Sequence, residues 1–65
     1  MRYAEFRNEI QTELRRNPAG LTWAELKTRR NLPYERPCPE WLKRLENEIG
    51  LKRLAGKKRA HVWRV

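Results

Sequence analysis

The sequence predicts a small α+β domain that is mostly α-helical. Residues 1–50 contain three segments with the apolar spacing of amphipathic helices, and Pro or Gly residues interrupt the chain between them. The last fifteen residues show a turn flanked by short apolar segments, the pattern of a β-hairpin. A chain of 65 residues is long enough for one domain, so we expect a single unit over residues 1–65.

The first predicted helix covers about residues 2–16. Its apolar residues recur at spacings of three, four and four, which places them on one stripe: Tyr3, Phe6, Ile10 and Leu14. Arginines in its last turn suit the negative end of the helix dipole. The Asn-Pro-Ala-Gly segment at 17–20 is expected to end it.

The second predicted helix covers about residues 22–30. Thr22 and Glu25 have the spacing of a capping box, in which each side chain bonds the other residue's backbone N–H. Leu21 and Leu26 have the spacing of a hydrophobic staple around the same helix start. The helix is expected to end before the next proline.

The third predicted helix covers about residues 39–49 and follows a proline-marked connection at 31–38. Pro39 fits a first helical position, because its fixed φ suits the helix and its missing N–H is not needed there. Gly50 is placed to end the helix in a left-handed conformation. The buried stripe is expected to consist of Leu42, Leu45 and Ile49.

Residues 51–65 predict a β-hairpin, with strands at 51–55 and 60–65 around a basic turn. A hairpin of two strands is only marginally stable alone, so it should pack against the helices. A third short strand around 20–22 is a candidate to extend the sheet.

The positive charge is concentrated in the predicted hairpin. The chain has a formal net charge of +8, and residues 51–65 contribute +6 because they contain six basic residues and no acid. A basic surplus can serve solubility alone, but its concentration in one element favours a polyanionic partner. The six are Lys52, Arg53, Lys57, Lys58, Arg59 and Arg64.

Several classes of function have no support in the sequence. A single cysteine allows no internal disulfide, and no His or Cys partners stand at the spacing of a metal site, so neither metal nor cofactor is expected. Paired carboxylates and phosphate-cradling glycine loops are also missing, so we expect no enzyme. Without an apolar run of membrane-spanning length, we expect an intracellular protein, in the cytoplasm or nucleoid, with no membrane partner.

The order of elements resembles the winged helix-turn-helix family of DNA-binding domains. The resemblance lies in LTWAEL at 21–26, WLKRLENEIGLKRL at 41–54, and the basic turn followed by VWRV at 62–65, and it extends over the whole chain. It implies a three-helix domain with a C-terminal β-hairpin wing. It also implies that the third helix enters the major groove while the wing contacts phosphates.

Eight residues are candidate DNA contacts. The exposed side of helix three should carry Lys43, Arg44 and Asn47, whose side-chain types can bind guanine and adenine edges. Glu40 lies on the same side of the helix and repels phosphate. Alternatively, Arg44 pairs with Glu40 and Glu48, each four residues away, and this side of the helix is an ordinary solvated surface. The other candidates are Lys57, Lys58 and Arg59 at the wing tip and Arg29 and Arg30 at the end of helix two.

The predicted function is therefore nucleic-acid binding, with duplex DNA favoured over RNA, as a small transcriptional regulator or architectural protein. The predicted oligomeric state is a monomer or a weak homodimer. The alternative is a protein-interaction module that docks an acidic partner through the proline-rich connection, where Tyr34 is the aromatic residue expected to be most accessible. Trp23 and Trp63 are expected to belong to the core, because each stands in an apolar pattern.

Overall fold

A computed structural model describes residues 1–55 and 61–65 and confirms the α+β class. These residues form three helices and three strands, and about half of the chain is helical. In chain order the elements are α1 (Tyr3–Arg16), β1 (Leu21–Thr22), α2 (Trp23–Arg30), α3 (Pro39–Glu48), β2 (Lys52–Ala55) and β3 (His61–Arg64).

Local signals in the sequence set the helix ends. The predicted capping box is confirmed: the Glu25 N–H donates to the Thr22 hydroxyl at 3.2 Å, and the Thr22 N–H donates to Glu25 Oε1 at 3.0 Å. At the other end of α2, Asn31 adopts a left-handed conformation with φ of 50°. Gly50 does the same after α3 with φ of 70°, which lets the Leu51 N–H donate back to the Leu45 carbonyl at 3.3 Å.

The strands form one antiparallel sheet in the order β1-β3-β2. The third strand expected around 20–22 is confirmed as β1, which pairs with Val62 and Trp63 in the middle of β3. Trp63 lies opposite both Leu21 and Arg53 and is buried, so these residues mark the sheet face that covers the helices. The opposite face carries Lys52, Leu54, Val62 and Arg64.

The core is a layer of apolar side chains between the helices and the sheet, with Phe6 fully buried within it. The Phe6 ring packs against Trp23, Tyr34 and Trp41, with ring centres 6.1, 5.9 and 5.0 Å away. The predicted stripe of α1 is confirmed as buried, and so is the place of Trp63 in the core. Ile49 is only half-buried at the end of the α3 stripe.

Tyr34, expected to be the most accessible aromatic residue, is half-buried, as Trp23 and Trp41 are. Its ring packs at right angles to Phe6 and Trp41, and its hydroxyl donates to the Met1 carbonyl at 3.2 Å. The connection at 31–38 is therefore tied to the core, and the buried Leu32 ties it further.

Replacing Phe6 with alanine should destabilise the domain severely. The change removes a fully buried ring and leaves a cavity where three other aromatic rings meet, which costs about 3–5 kcal/mol. That loss is comparable with the whole free energy of unfolding of a domain of this size. Urea denaturation followed by circular dichroism measures it, with Val65→Ala, 46% exposed, as the control. A cost below about 1 kcal/mol would show that Phe6 does not hold the core.

Two glycine substitutions should differ in cost because only one of them lacks space. Both Gly20 and Gly50 have positive φ, which costs an L-residue about 1–2 kcal/mol. A Cβ on Gly50 meets nothing within 4 Å, whereas on Gly20 it would lie 2.9 Å from the Trp63 carbonyl oxygen and closer still to Val62. Gly20→Ala should therefore cost about 1–3 kcal/mol more than Gly50→Ala in the same denaturation assay. Equal costs would mean that β1 does not pack this closely on β3.

Candidate nucleic-acid interface

The exposed side of α3 presents polar side chains to solvent. Glu40, Lys43 and Asn47 are all exposed there, and we call these three residues the open face of α3. Among the described residues, none forms a side-chain ion pair or hydrogen bond with Lys43 or Asn47. Their donors therefore remain available to a ligand.

Arg44 lies at the edge of the open face, where it is held against α1. Its Cζ lies 3.8 Å from the centre of the Tyr3 ring, and its Nε donates to Glu48 Oε2 at 3.2 Å. Of the two i,i+4 pairs expected for Arg44, the pair with Glu48 is formed and the pair with Glu40 is not. About half of the Arg44 side chain, 55%, stays exposed, so it contacts solvent while belonging to the α1–α3 junction.

Glu48 joins two arginines at this junction. Its Oε1 accepts a hydrogen bond from Arg7 at 2.8 Å. The hydrogen bond from Arg7 and then those from Arg44 hold the pKa of the Glu48 carboxyl below its ordinary value. Burial, and next the charge of Glu48, raise the pKa of the neighbouring Tyr3 hydroxyl. The carboxylate thus stays charged and keeps both guanidinium groups in place.

A second ion pair joins α3 to the hairpin. Arg53 Nη2 lies 3.5 Å from Glu46 Oε1, and both side chains are partly exposed. Glu46 stands on the flank of α3 opposite Glu48, so arginines from α1 and β2 neutralise the two acids that border the open face. This arrangement places β2 beside α3.

The arginines at the end of α2 make contacts within the fold. Arg30 pairs with Glu9 at 3.0 Å and with Glu13 at 3.1 Å, although its Nε is not aligned for a hydrogen bond to Glu13. Arg29 lies 3.8 Å from Glu13 and donates to Asn17 Oδ1 at 3.3 Å. A nucleic-acid phosphate would have to compete with these carboxylates, most of all at Arg30.

The three wing-tip candidates, Lys57, Lys58 and Arg59, lie outside the described residues. The described residues nearest to them, Ala55 and His61, face each other in the β2–β3 register.

A cleft of about 260 Å³ opens where the hairpin meets the start of α2. Its lining includes Trp23 and Ala24 of α2, the loop residue Pro37, and Arg53 and His61 of the hairpin. The buried Trp63 also lines the cleft, and its ring stacks on Trp23 with centres 5.4 Å apart. The sequence interpretation assigned both tryptophans to the core and did not anticipate a cleft beside them.

Sequence reasoning also missed the burial of Glu13. This side chain is 8% exposed and binds the α2 arginines. A signal was present, since Glu13 follows Ile10 by three residues and Phe6 by seven, which puts it on the flank of the apolar stripe. An acid at that position predicts a basic partner from another element.

Within residues 1–55 and 61–65, no three His, Cys, Asp or Glu side chains lie close enough together to hold a metal ion. No helix in the same residues combines the length and the apolar character needed to cross a membrane. Comparison of the chain with protein-family models, curated proteins and solved structures gives no significant match.

Glu13→Gln should destabilise the domain more than Glu9→Gln, although each change removes one carboxylate from Arg30. Glu13 is largely buried, so its loss leaves a desolvated guanidinium group without its more buried charge partner and costs about 1–3 kcal/mol. The Glu9 pair is more exposed and should cost about 0.5 kcal/mol. Thermal and urea denaturation at low salt compare the two variants. Equal effects would show that Glu13 behaves as a surface residue.

Proposed function

We propose that this protein is a nucleic-acid-binding domain of the winged helix-turn-helix type, and that its ligand is duplex DNA. The observation that carries the proposal is the distribution of charge. Residues 51–65 hold a net charge of +6 out of +8, and they comprise both hairpin strands and their connection. A charge of this size on one element raises its affinity for phosphates through counterion release.

The fold supports the proposal by its order of elements. Three helices precede a hairpin whose central strand β3 also pairs with β1, the short strand before α2. The Glu46–Arg53 pair holds the hairpin beside α3, so both can approach the same ligand. In the proposed complex α3 enters the major groove and the hairpin connection lies along the phosphate backbone.

The open face of α3 has the side chains that base recognition requires. Lys43 can donate to the acceptors of guanine, and Asn47 can pair with adenine through two hydrogen bonds. Glu40 can accept a hydrogen bond from the amino group of cytosine. Its negative charge disfavours a phosphate contact but is compatible with this contact to a base edge. Arg44, at the edge of this face, is assigned to the adjoining phosphates.

Charge repulsion within the hairpin also favours an anionic partner. Lys52 lies directly opposite Arg64 on the outer face of the sheet, and like charges at such positions destabilise strand pairing. Lys57, Lys58 and Arg59 add three more cations to the connection. Bound phosphates would reduce this repulsion. We therefore assign these three residues, together with Arg29, to contacts with the DNA backbone. Arg30 can contact a phosphate only if its ion pairs with Glu9 and Glu13 break.

Binding to duplex DNA should weaken steeply with salt, and the hairpin connection should account for part of the slope. Replacing Lys57, Lys58 and Arg59 with glutamine should reduce the slope of log affinity against log salt by about 2–3, since each phosphate contact contributes about 0.9. The control replaces Arg2, Arg15 and Arg36, which are exposed and outside the proposed interface, and should leave the slope nearly unchanged. Fluorescence anisotropy over a salt series measures both.

Two results would contradict this proposal. A folded protein that fails to bind any duplex at low salt is not a DNA-binding domain, and the search would turn to acidic protein partners. Structured RNA that outcompetes duplex DNA at matched salt would assign the same basic surface to RNA.

A further inference from the structure

We propose that the cleft between the hairpin and the start of α2 binds one unpaired nucleotide, so that the protein prefers duplex DNA with a short single-stranded extension to a blunt duplex. The inference rests on the proposed nucleic-acid binding and adds a ligand class to it. It is carried by the lining of the cleft, which combines aromatic surface with two cationic or hydrogen-bonding side chains.

The aromatic part of the lining suits a nucleobase. Trp23 is half-buried, and its indole is fixed on three sides: it packs on Phe6, stacks on Trp63, and donates its N–H to the Glu35 carbonyl at 2.9 Å. The exposed remainder of the ring lines the cleft together with Pro37. A rigid aromatic surface of this kind binds any base by stacking, without regard to sequence.

The polar part of the lining suits a phosphate. Arg53 and His61 stand on adjacent strands of the hairpin, two residue pairs apart in register, on the same sheet face as Trp63. Glu46 lies 3.5 Å from the Arg53 guanidinium and engages one of its nitrogens, which leaves other N–H donors for a ligand. His61 is exposed and offers a ring N–H.

The size of the cleft limits the ligand to one nucleotide unit. Its volume of about 260 Å³ lies below the roughly 300–1,000 Å³ of pockets that enclose a drug-sized ligand. A base within a duplex is stacked and paired and cannot enter such a cleft without being extruded, at a cost of a few kcal/mol. A base in a single-stranded extension is already unpaired, so it is the form of nucleic acid that the cleft accepts at least cost.

The test compares three DNA ligands at one salt concentration: a blunt duplex, the same duplex with a short unpaired 3′ extension, and one whose extension lacks bases. Stacking of one base on an aromatic side chain is expected to tighten binding about tenfold. The extension without bases carries the same phosphates and should recover little of that gain. A 2-aminopurine in the extension reports stacking directly, through quenching of its fluorescence.

Three hairpin variants distinguish binding in the cleft from general electrostatic attraction. Arg53→Gln should remove most of the preference for the extension, and His61→Ala should reduce it. Lys52→Gln removes the same charge as Arg53→Gln from the neighbouring position, but on the opposite face of the sheet. Lys52→Gln should weaken binding of all three ligands equally and leave the preference for the extended duplex unchanged. Circular dichroism establishes that each variant is folded.

The outcomes distinguish this inference from the function on which it rests. Equal affinity for blunt and extended duplexes overturns the cleft proposal and leaves duplex binding intact. Equal loss of preference in Lys52→Gln and Arg53→Gln also overturns it, because charge alone would then explain the effect. No binding to any of the three ligands overturns both proposals.

Discussion

The packing of Phe6 against three other aromatic rings is the interaction on which the rest of the structure depends. Phe6 belongs to α1, while Trp23, Tyr34 and Trp41 belong to α2, to the connection and to α3. One ring therefore fixes the relative positions of all three helices. Trp23 extends the arrangement by stacking on Trp63 of β3, which sets the sheet against the helices. The cleft is a consequence, since it opens where this stacked pair reaches the surface.

Ion pairs determine which charges the protein offers to a partner. Five of the eight acidic residues form ion pairs among the described residues, and Glu25 is engaged in its capping box. Most of these carboxylates pair with arginines, and the pairs connect one helix to another or a helix to a strand. Each such pair is close to neutral and contributes little to the field at a distance, so that field comes mainly from the excess of basic residues. The excess positive charge therefore lies at the surface, and residues 51–65 contribute most of it.

The sequence predicted the elements better than the contacts between them. The start of α2 and the start of α3 follow from a capping box and from Pro39, which are local features visible in a few residues. Arg30 and Arg44 were expected at a DNA surface because of their charge, but the contacts that hold them involve α1, which is distant in sequence. The loop position of Tyr34 is confirmed, whereas the packing of its ring on Phe6 depends on tertiary structure. Local patterns do not contain that information.

The hairpin has low intrinsic stability and a large positive charge, and the two properties are linked. Two paired strands are marginal alone, and here one exposed pair consists of two cations, Lys52 and Arg64. Packing of Trp63 on Trp23 and the bond from Arg64 to the Pro18 carbonyl hold β3 in place, but neither restrains the edge strand β2. An anion that binds the hairpin offsets its self-repulsion and so stabilises the folded form by mass action. If the proposed binding holds, affinity for the anion and stability of the domain should therefore increase together.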